Sequence, residues 1–273
     1  MIPDSGKPRN HGLESSDRPD PSGLTFVNVL AAIECECRSQ DASGFDKSSD
    51  ILARGELFRG VAVEVLREVQ AVSFRRKFAA GETVYQQEDP VTTFYIIVVG
   101  RVRITQTTLD GQQVIIRYLG PGDVVGYAAL TGAETHPGAA TAVDDSPLLG
   151  MPAVTLREIM SRNARVAMNA VALMGERYRD LQIRLRELAT EKVERRIAHT
   201  LLRLAQQAGR RTSRGVEIAF PLSRQDLAEM TGTTLHTVSR TLSGWEGRGL
   251  VNSGRRRVVI ARPEALADAV EEV

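Results

Sequence analysis

Pro221-Leu-Ser-Arg-Gln-Asp-Leu-Ala-Glu-Met-Thr-Gly-Thr-Thr-Leu-His-Thr-Val-Ser-Arg240, running on to Trp245 and to Gly249-Leu250-Val251, decides how the carboxy-terminal part of this chain folds. Ser223 has the chemistry of a helix N-cap, and Asp226 stands where a capping-box acid answers it. Leu227, Ala228 and Met230 give this first helix an inner side, and Gly232 falls in a turn where a missing Cβ lets two helices approach steeply. Thr233 or Thr234 caps a second helix whose Val238, Leu242 and Trp245 face inward, while His236, Ser239, Arg240 and Ser243 lie on the other side. Leu235 falls at the border by helical angle. Two short helices across a tight turn, the second with a polar outer face, form a helix-turn-helix, whose natural partner is the DNA major groove.

The outward set divides by chemistry. Arg240 is the best base reader, because a guanidinium bridges guanine O6 and N7; His236 and Ser239 share its face. Ser223, Arg224, Gln225, Thr234 and Thr237 suit phosphate contacts, which position a protein without specifying sequence. Leu250–Ala261 reads as a β-hairpin with Gly254-Arg255-Arg256-Arg257 near its tip, a wing whose arginines lie along the DNA backbone.

Charge supports that partner. The chain of 273 residues has a net charge of only +1, but residues 191–262 carry 14 Lys/Arg against 6 Asp/Glu, and residues 263–273 carry 4 acids and no base. A basic domain on a mildly acidic body is the electrostatic footprint of phosphate binding. Two cysteines, Cys35 and Cys37, exclude a disulfide framework and point to a reducing compartment. No apolar run approaches the ~20 residues needed to span a bilayer, and the amino terminus lacks an apolar signal core. Together these place the protein in the cytoplasm, away from membranes.

Working back from the helix-turn-helix, Gly209–Gly215 is a polar, basic loop and Glu191–Ala208 a helix. Ahead of it, Ala167, Val171, Met174, Tyr178, Leu181, Leu185 and Leu188 step by four and three over about three heptads, a narrow seam of the kind that pairs two copies of one helix. The competing explanation is one amphipathic helix packed on its own domain. Between Phe74 and Met151, short apolar stretches alternate with turn signals: strands at 74–78, 83–86, 94–99, 102–108, 114–119, 124–126, 139–143 and 147–151, with Asp110-Gly111 as a hairpin turn. Glycines 81, 100, 111 and 122 suit the corners of a jelly roll. Leu52–Val69 forms one or two short helices, Leu24–Cys37 suits another, and Met1–Gly23 has the composition of a segment without fixed structure. The expected α+β architecture is a flexible extension (1–50), an antiparallel jelly-roll barrel (51–160), a long dimer helix (161–190), a winged helix-turn-helix (191–262) and a tail (263–273).

From Leu52 to Ala261 the chain resembles the Crp/Fnr family of bacterial transcription regulators. The resemblance is carried by Leu222-Ser-Arg-Gln-Asp-Leu-Ala, Gly232, Thr237-Val-Ser-Arg240 and Leu250-Val251, then by Gly81-Glu82, Gly100-Arg-Val, Leu119-Gly-Pro-Gly-Asp-Val-Val-Gly126 and Val193-Glu-Arg-Arg-Ile-Ala198. It implies an effector-responsive sensor barrel, a dimer helix and a winged helix, with DNA, a second copy and RNA polymerase as partners, and no enzymatic activity. The effector pocket would include Gly126, Tyr127, Ala128, Ala139 and Ala140.

Here the chain departs from the pattern. Cyclic-AMP-binding members carry Gly-Glu, then Arg followed by Ser or Thr for the cyclic phosphate. This chain has Tyr127 in place of the Glu, and Pro137-Gly138-Ala139-Ala140-Thr141 without the Arg, so the anion loses its charge-assisted partner and cyclic AMP is disfavoured. Two cysteines do not complete a four-cysteine iron–sulfur site. Haem stays open, with His136 either its ligand or a loop histidine; His11 is the other histidine of this half. In the recognition helix Leu235-His236 replaces the family's Arg-Glu, so the family's usual half-site does not carry over. Two rivals are a constitutive DNA-binding dimer whose barrel is only a scaffold, and a cupin-type metal enzyme, against which the lack of paired histidines in the strands speaks.

Overall fold

The computed structural model describes residues 47–271. The helix expected at Leu24–Cys37, both cysteines and His11 lie outside the described residues. The described chain opens with α1 (Lys47–Arg54), a 3-10 turn (Glu56–Phe58) and α2 (Val63–Val72). Eight strands follow: β1 (Phe74–Phe78), β2 (Thr83–Tyr85), β3 (Thr93–Ile97), β4 (Val102–Thr107), β5 (Gln113–Leu119), β6 (Val124–Val125), then the short helix α3 (Ala128–Thr131), β7 (Ala139–Ala142) and β8 (Ser146–Pro152). They pair antiparallel in two four-stranded sheets, β1-β8-β3-β6 and β2-β7-β4-β5, the crossed order of a jelly roll. Alternation puts Phe78, Tyr95, Ile97, Val102, Ile104, Leu119, Val125 and Leu148 in one buried cluster. A second cluster joins Phe94, Ile96, Leu149 and Met151 to Leu52, Phe58 and the helices beyond, so successive residues of β3 serve different cores.

α4 (Ala153–Arg162) precedes the long helix α5 (Ala164–Thr190). The long helix starts after Asn163, whose side chain accepts from the Val166 N–H, and Ser161 and Arg162 belong to α4. Val166, Ala170 and Leu173 bind α5 to the sensor core. On another face Val171, Tyr178, Leu181, Leu185 and Leu188 are 53–68% exposed. Met174 divides from them by packing against the sensor core.

After Glu191 the chain turns into α6 (Val193–Ala208), then β9 (Gly209–Thr212), β10 (Gly215–Ile218), α7 (Arg224–Thr231), α8 (Leu235–Gly247), β11 (Val251–Gly254), β12 (Arg257–Ile260) and α9 (Pro263–Glu271). Two expectations change here. The polar loop at 209–215 is a hairpin that extends the wing into a four-stranded sheet, β11-β12-β10-β9; its Arg-Arg-Thr face hides the strand because it is largely solvent-facing. The acidic tail is a helix, because Leu266 is fully buried in the winged-helix core.

Candidate DNA interface and sensor cassette

The helix-turn-helix is held by its own polar residues. Ser223 Oγ accepts from the Asp226 N–H at 3.0 Å and Asp226 Oδ2 accepts from the Ser223 N–H at 2.7 Å, the reciprocal box that satisfies two otherwise orphaned donors. Gly232 ends α7 with φ +60°, and a Cβ there would meet only Leu188 Cδ2 at 3.5 Å, an ordinary contact. Glycine is thus required by the left-handed backbone, and not by close approach of the helices. Thr234 caps α8, its Oγ1 accepting from the Thr237 N–H at 3.2 Å. Val238, Leu242 and Trp245 anchor α8 in the core, which leaves Leu235, His236, Arg240 and Ser243 exposed and Ser239 half-buried.

The wing is tied to both helices. Glu246 of α8 accepts from the Ser253 N–H and hydroxyl, each at 2.7 Å, and Arg224 at the start of α7 donates to Ser253 Oγ at 3.0 Å. The Leu222 N–H donates to the Arg256 carbonyl at 3.1 Å, which sets the wing tip beside the α7 N-terminus. Arg256 takes φ +57° in the two-residue turn between Gly254 and Arg257. The result is a groove of about 480 Å³ lined by Ser223, Arg224, Gln225, Leu235 and Gly254-Arg255-Arg256. Arg257 is not part of it: it pairs with Glu217 at 2.6 Å, and Arg210 pairs with the same carboxylate at 3.1 Å. Its guanidinium fastens β12 to β10, so the wing tip offers Arg255 and Arg256.

The barrel grips this domain directly. Arg103 of β4 reaches Asp226 Oδ1 at 3.1 Å, so one carboxylate both caps α7 and binds the sensor. Tyr118 of β5 packs on Phe220 with ring centroids 4.6 Å apart, and the Arg101 guanidinium lies over the same Phe220 ring. Ile115 and Tyr118 are buried in the winged-helix core cluster. Along α5, Arg117 of β5 pairs with Asp180 at 2.7 Å, and Arg184 donates to the Ile116 carbonyl. Burial, with Arg203 and Arg117 nearby, lowers the Arg184 pKa to about 10. At the α5–α6 junction burial opposes the charge of Glu187, but the hydrogen bond from Arg203, with His199 Nδ1 3.6 Å away, outweighs it and holds the carboxyl below its ordinary pKa.

The sensor cassette is built the opposite way. Gly126 has φ +86°, Tyr127 precedes α3, and Ala128 and Ala140 are buried, with Ala139 half-buried. His136 is 2% exposed and stacks face to face on Tyr85 with centroids 3.6 Å apart. Gly126 backs this pair: a Cβ there would stand 3.4 Å from His136 Cε1 and 3.7 Å from Tyr85 Cε1. Burial lowers the His136 pKa, partly offset by Asp89, and raises that of the Tyr85 phenol. Sequence reasoning singled out His136 but missed Tyr85, whose place across the fold has no local signal.

Residues 75–163 match the model of the cyclic nucleotide-binding domain, and residues 195–269 match that of the Crp-like helix-turn-helix domain. The chain is 30% identical to the cyclic AMP receptor protein of Thermus thermophilus over 214 residues, covering 78% of this chain and 95% of that one. The chain belongs to the Crp/Fnr family. It is also 30% identical to the nitrogen fixation regulation protein FixK of Bradyrhizobium diazoefficiens, over 75% of this chain and 86% of that one. The solved structure of FixK2 from Bradyrhizobium japonicum superimposes with a TM-score of 0.64 at 27% identity, covering 72% of this chain and 96% of that chain. This Crp/Fnr protein is therefore a transcription regulator with a cyclic nucleotide-binding-like sensor domain and a DNA-binding helix-turn-helix.

No carboxylate stands at Tyr127, no guanidinium at residues 137–141, and the packed Tyr85–His136 pair lies under Gly126. The His136 ring is buried and stacked on Tyr85. Among the described residues no group of three or more His, Cys, Asp or Glu is placed to hold a metal ion, and no helix is long and apolar enough to cross a membrane.

Proposed function

We propose that this Crp/Fnr protein acts in the cytoplasm as a homodimer, reading a near-palindromic DNA site under control of a small effector other than cyclic AMP. Each α8 enters one of two successive major grooves, with Arg240, His236 and Ser239 on base edges. Ser223, Arg224, Gln225, Thr234, Thr237, Arg255 and Arg256 follow the phosphates, and RNA polymerase is the machinery acted upon. The observation that carries this is the arrangement of α8: capped, anchored by Val238, Leu242 and Trp245, and exposing a polar face beside a cationic groove. The exposed Val171, Tyr178, Leu181, Leu185 and Leu188 stripe supports the second copy. The grip of Arg103 on Asp226 favours a sensor over a passive scaffold, because an effector that displaces β4–β5 acts on α7 without an intermediary.

Selection of bound sequences from a random duplex library tests the proposal. The expected result is an inverted repeat whose half-sites are centred about one helical turn apart. Recovery of no enriched sequence would overturn it.

A further inference from the structure

The reader domain is fastened to the sensor half of the chain at both ends of α7. At the start of the helix Arg103 of β4 holds Asp226 Oδ1 at 3.1 Å, while Asp226 Oδ2 accepts from the Ser223 N–H. At its far end Leu188 of α5 lies against the Gly232 turn. β5 packs along α7 between them, and Tyr118 rests on Phe220 just ahead of the helix. These contacts take α7 and the segment leading into it, and they leave Leu235, His236, Arg240 and Ser243 of α8 exposed. The barrel therefore leaves the reading face uncovered and fixes the direction in which that face points.

The fastening is incomplete. Arg103 Nε is buried with no hydrogen-bond partner among the described residues, and a buried donor left unpaired loses hydration without a bond in return. Opening the contact hydrates that donor, which makes the Arg103–Asp226 pair releasable. The pair also lies one residue from the cassette. Along β4, Ile104 faces the barrel core opposite Ala140 of β7, and Arg103 faces the reader. Ala140 is fully buried and His136 is sealed on Tyr85. A molecule entering there displaces β7, and the β7–β4 ladder carries the movement to Arg103.

We propose that the Arg103–Asp226 pair is an autoinhibitory latch. Closed, it holds each reader at an angle to its barrel that does not fit two successive major grooves at once; an effector opens it by moving β4. This rests on the regulated, dimeric reader proposed above and supplies the contact through which that reader is regulated.

The test uses the full-length protein, the duplex enriched from the random library and no added effector. Arg103→Gln removes a positive charge from a DNA-binding protein, which by charge alone weakens the complex. Release of the latch predicts the opposite: the dissociation constant should fall about fivefold or more. Asp226→Asn keeps a side-chain oxygen for the Ser223 N–H but removes the carboxylate, and it should bind more tightly as well. Because both substitutions open one contact, the double variant should bind no more tightly than the tighter single variant. Affinity of Arg103→Gln at or below that of the wild type, or gains that add in the double variant, would overturn the latch and leave the proposed function standing. A library that yields no enriched sequence removes the proposed function, and the latch with it.

Discussion

The DNA-reading helices and the sensor cassette treat their side chains in opposite ways. In α7–α8 the short polar residues satisfy one another in caps, Leu227, Val238, Leu242 and Trp245 are buried, and Leu235, His236, Arg240 and the wing arginines face outward. In the cassette the corresponding positions face inward. Ala128 and Ala140 are buried, and His136 is sealed against Tyr85. The reader's caps and apolar anchors are already in place, whereas an effector entering the cassette, as proposed, would have to exchange protein contacts for its own. Outward variants should therefore change affinity and spare stability, and inward variants should do the reverse.

The largest effect should come from doubling the reader. Leu181→Glu combined with Leu185→Glu places charges on the exposed α5 stripe, and sedimentation should then show a monomer. Loss of the tethered second half-site should cost operator affinity about 100-fold or more, and an intact dimer would break the seam assignment. Next, Arg240→Ala should lose about 1–3 kcal/mol of base discrimination per half-site, narrowing the gap between operator and random DNA while the melting temperature stays put. Unchanged sequence preference would remove Arg240 from the base-reading set.

Asp226 belongs to α7 and is gripped by the barrel through Arg103, so Asp226→Ala tests where the reader and the sensor domain meet. It removes the cap of α7 and leaves Arg103 without its carboxylate. The expected loss is about 1–3 kcal/mol in thermal unfolding, and wild-type stability would show that the barrel's grip contributes little. Arg256→Ala should weaken specific and random DNA about equally and lower the salt slope by about one per half-site.

The smallest effect belongs to the cassette. Burial holds the His136 pKa below its ordinary 6.5, so the proton binds the unfolded chain more readily. The stability contributed by neutral His136 is present above that ordinary value and is lost as pH falls through the lower folded value. The melting temperature should drop between neutral and mildly acidic pH, and His136→Gln should flatten that drop. A histidine-independent profile would show that the stacked pair is not the sealed element described here.

Much of this was legible along the chain because its causes are local. The eight barrel strands follow from alternation between turn glycines, and the DNA-reading helices from Ser223, Asp226, Gly232 and Thr234, each acting within four residues of itself. The strand at 209–212 escaped because its Gly-Arg-Arg-Thr pattern is polar and largely solvent-facing, and the helix at 263–271 because it is short and its Leu266 is buried in a core assembled from distant residues. Leu235 shows the limit at one residue: helical angle put it on a boundary, and its exposure followed from how α8 sits on the core.

Sequence by itself determined the order of the parts and the chemistry each carries: apolar alternation, caps and a basic wing are written in neighbouring residues. It also showed that Tyr127 and residues 137–141 offer the cassette neither a carboxylate nor a guanidinium. Only the tertiary structure decided which groups meet across the chain. Arg103 finds Asp226, Tyr118 finds Phe220, His136 stacks on Tyr85, and Arg257 is engaged by Glu217. Such pairings depend on how sheets and helices pack, which no local periodicity encodes, and they determine whether a charged or aromatic side chain is offered to a ligand or held by the protein.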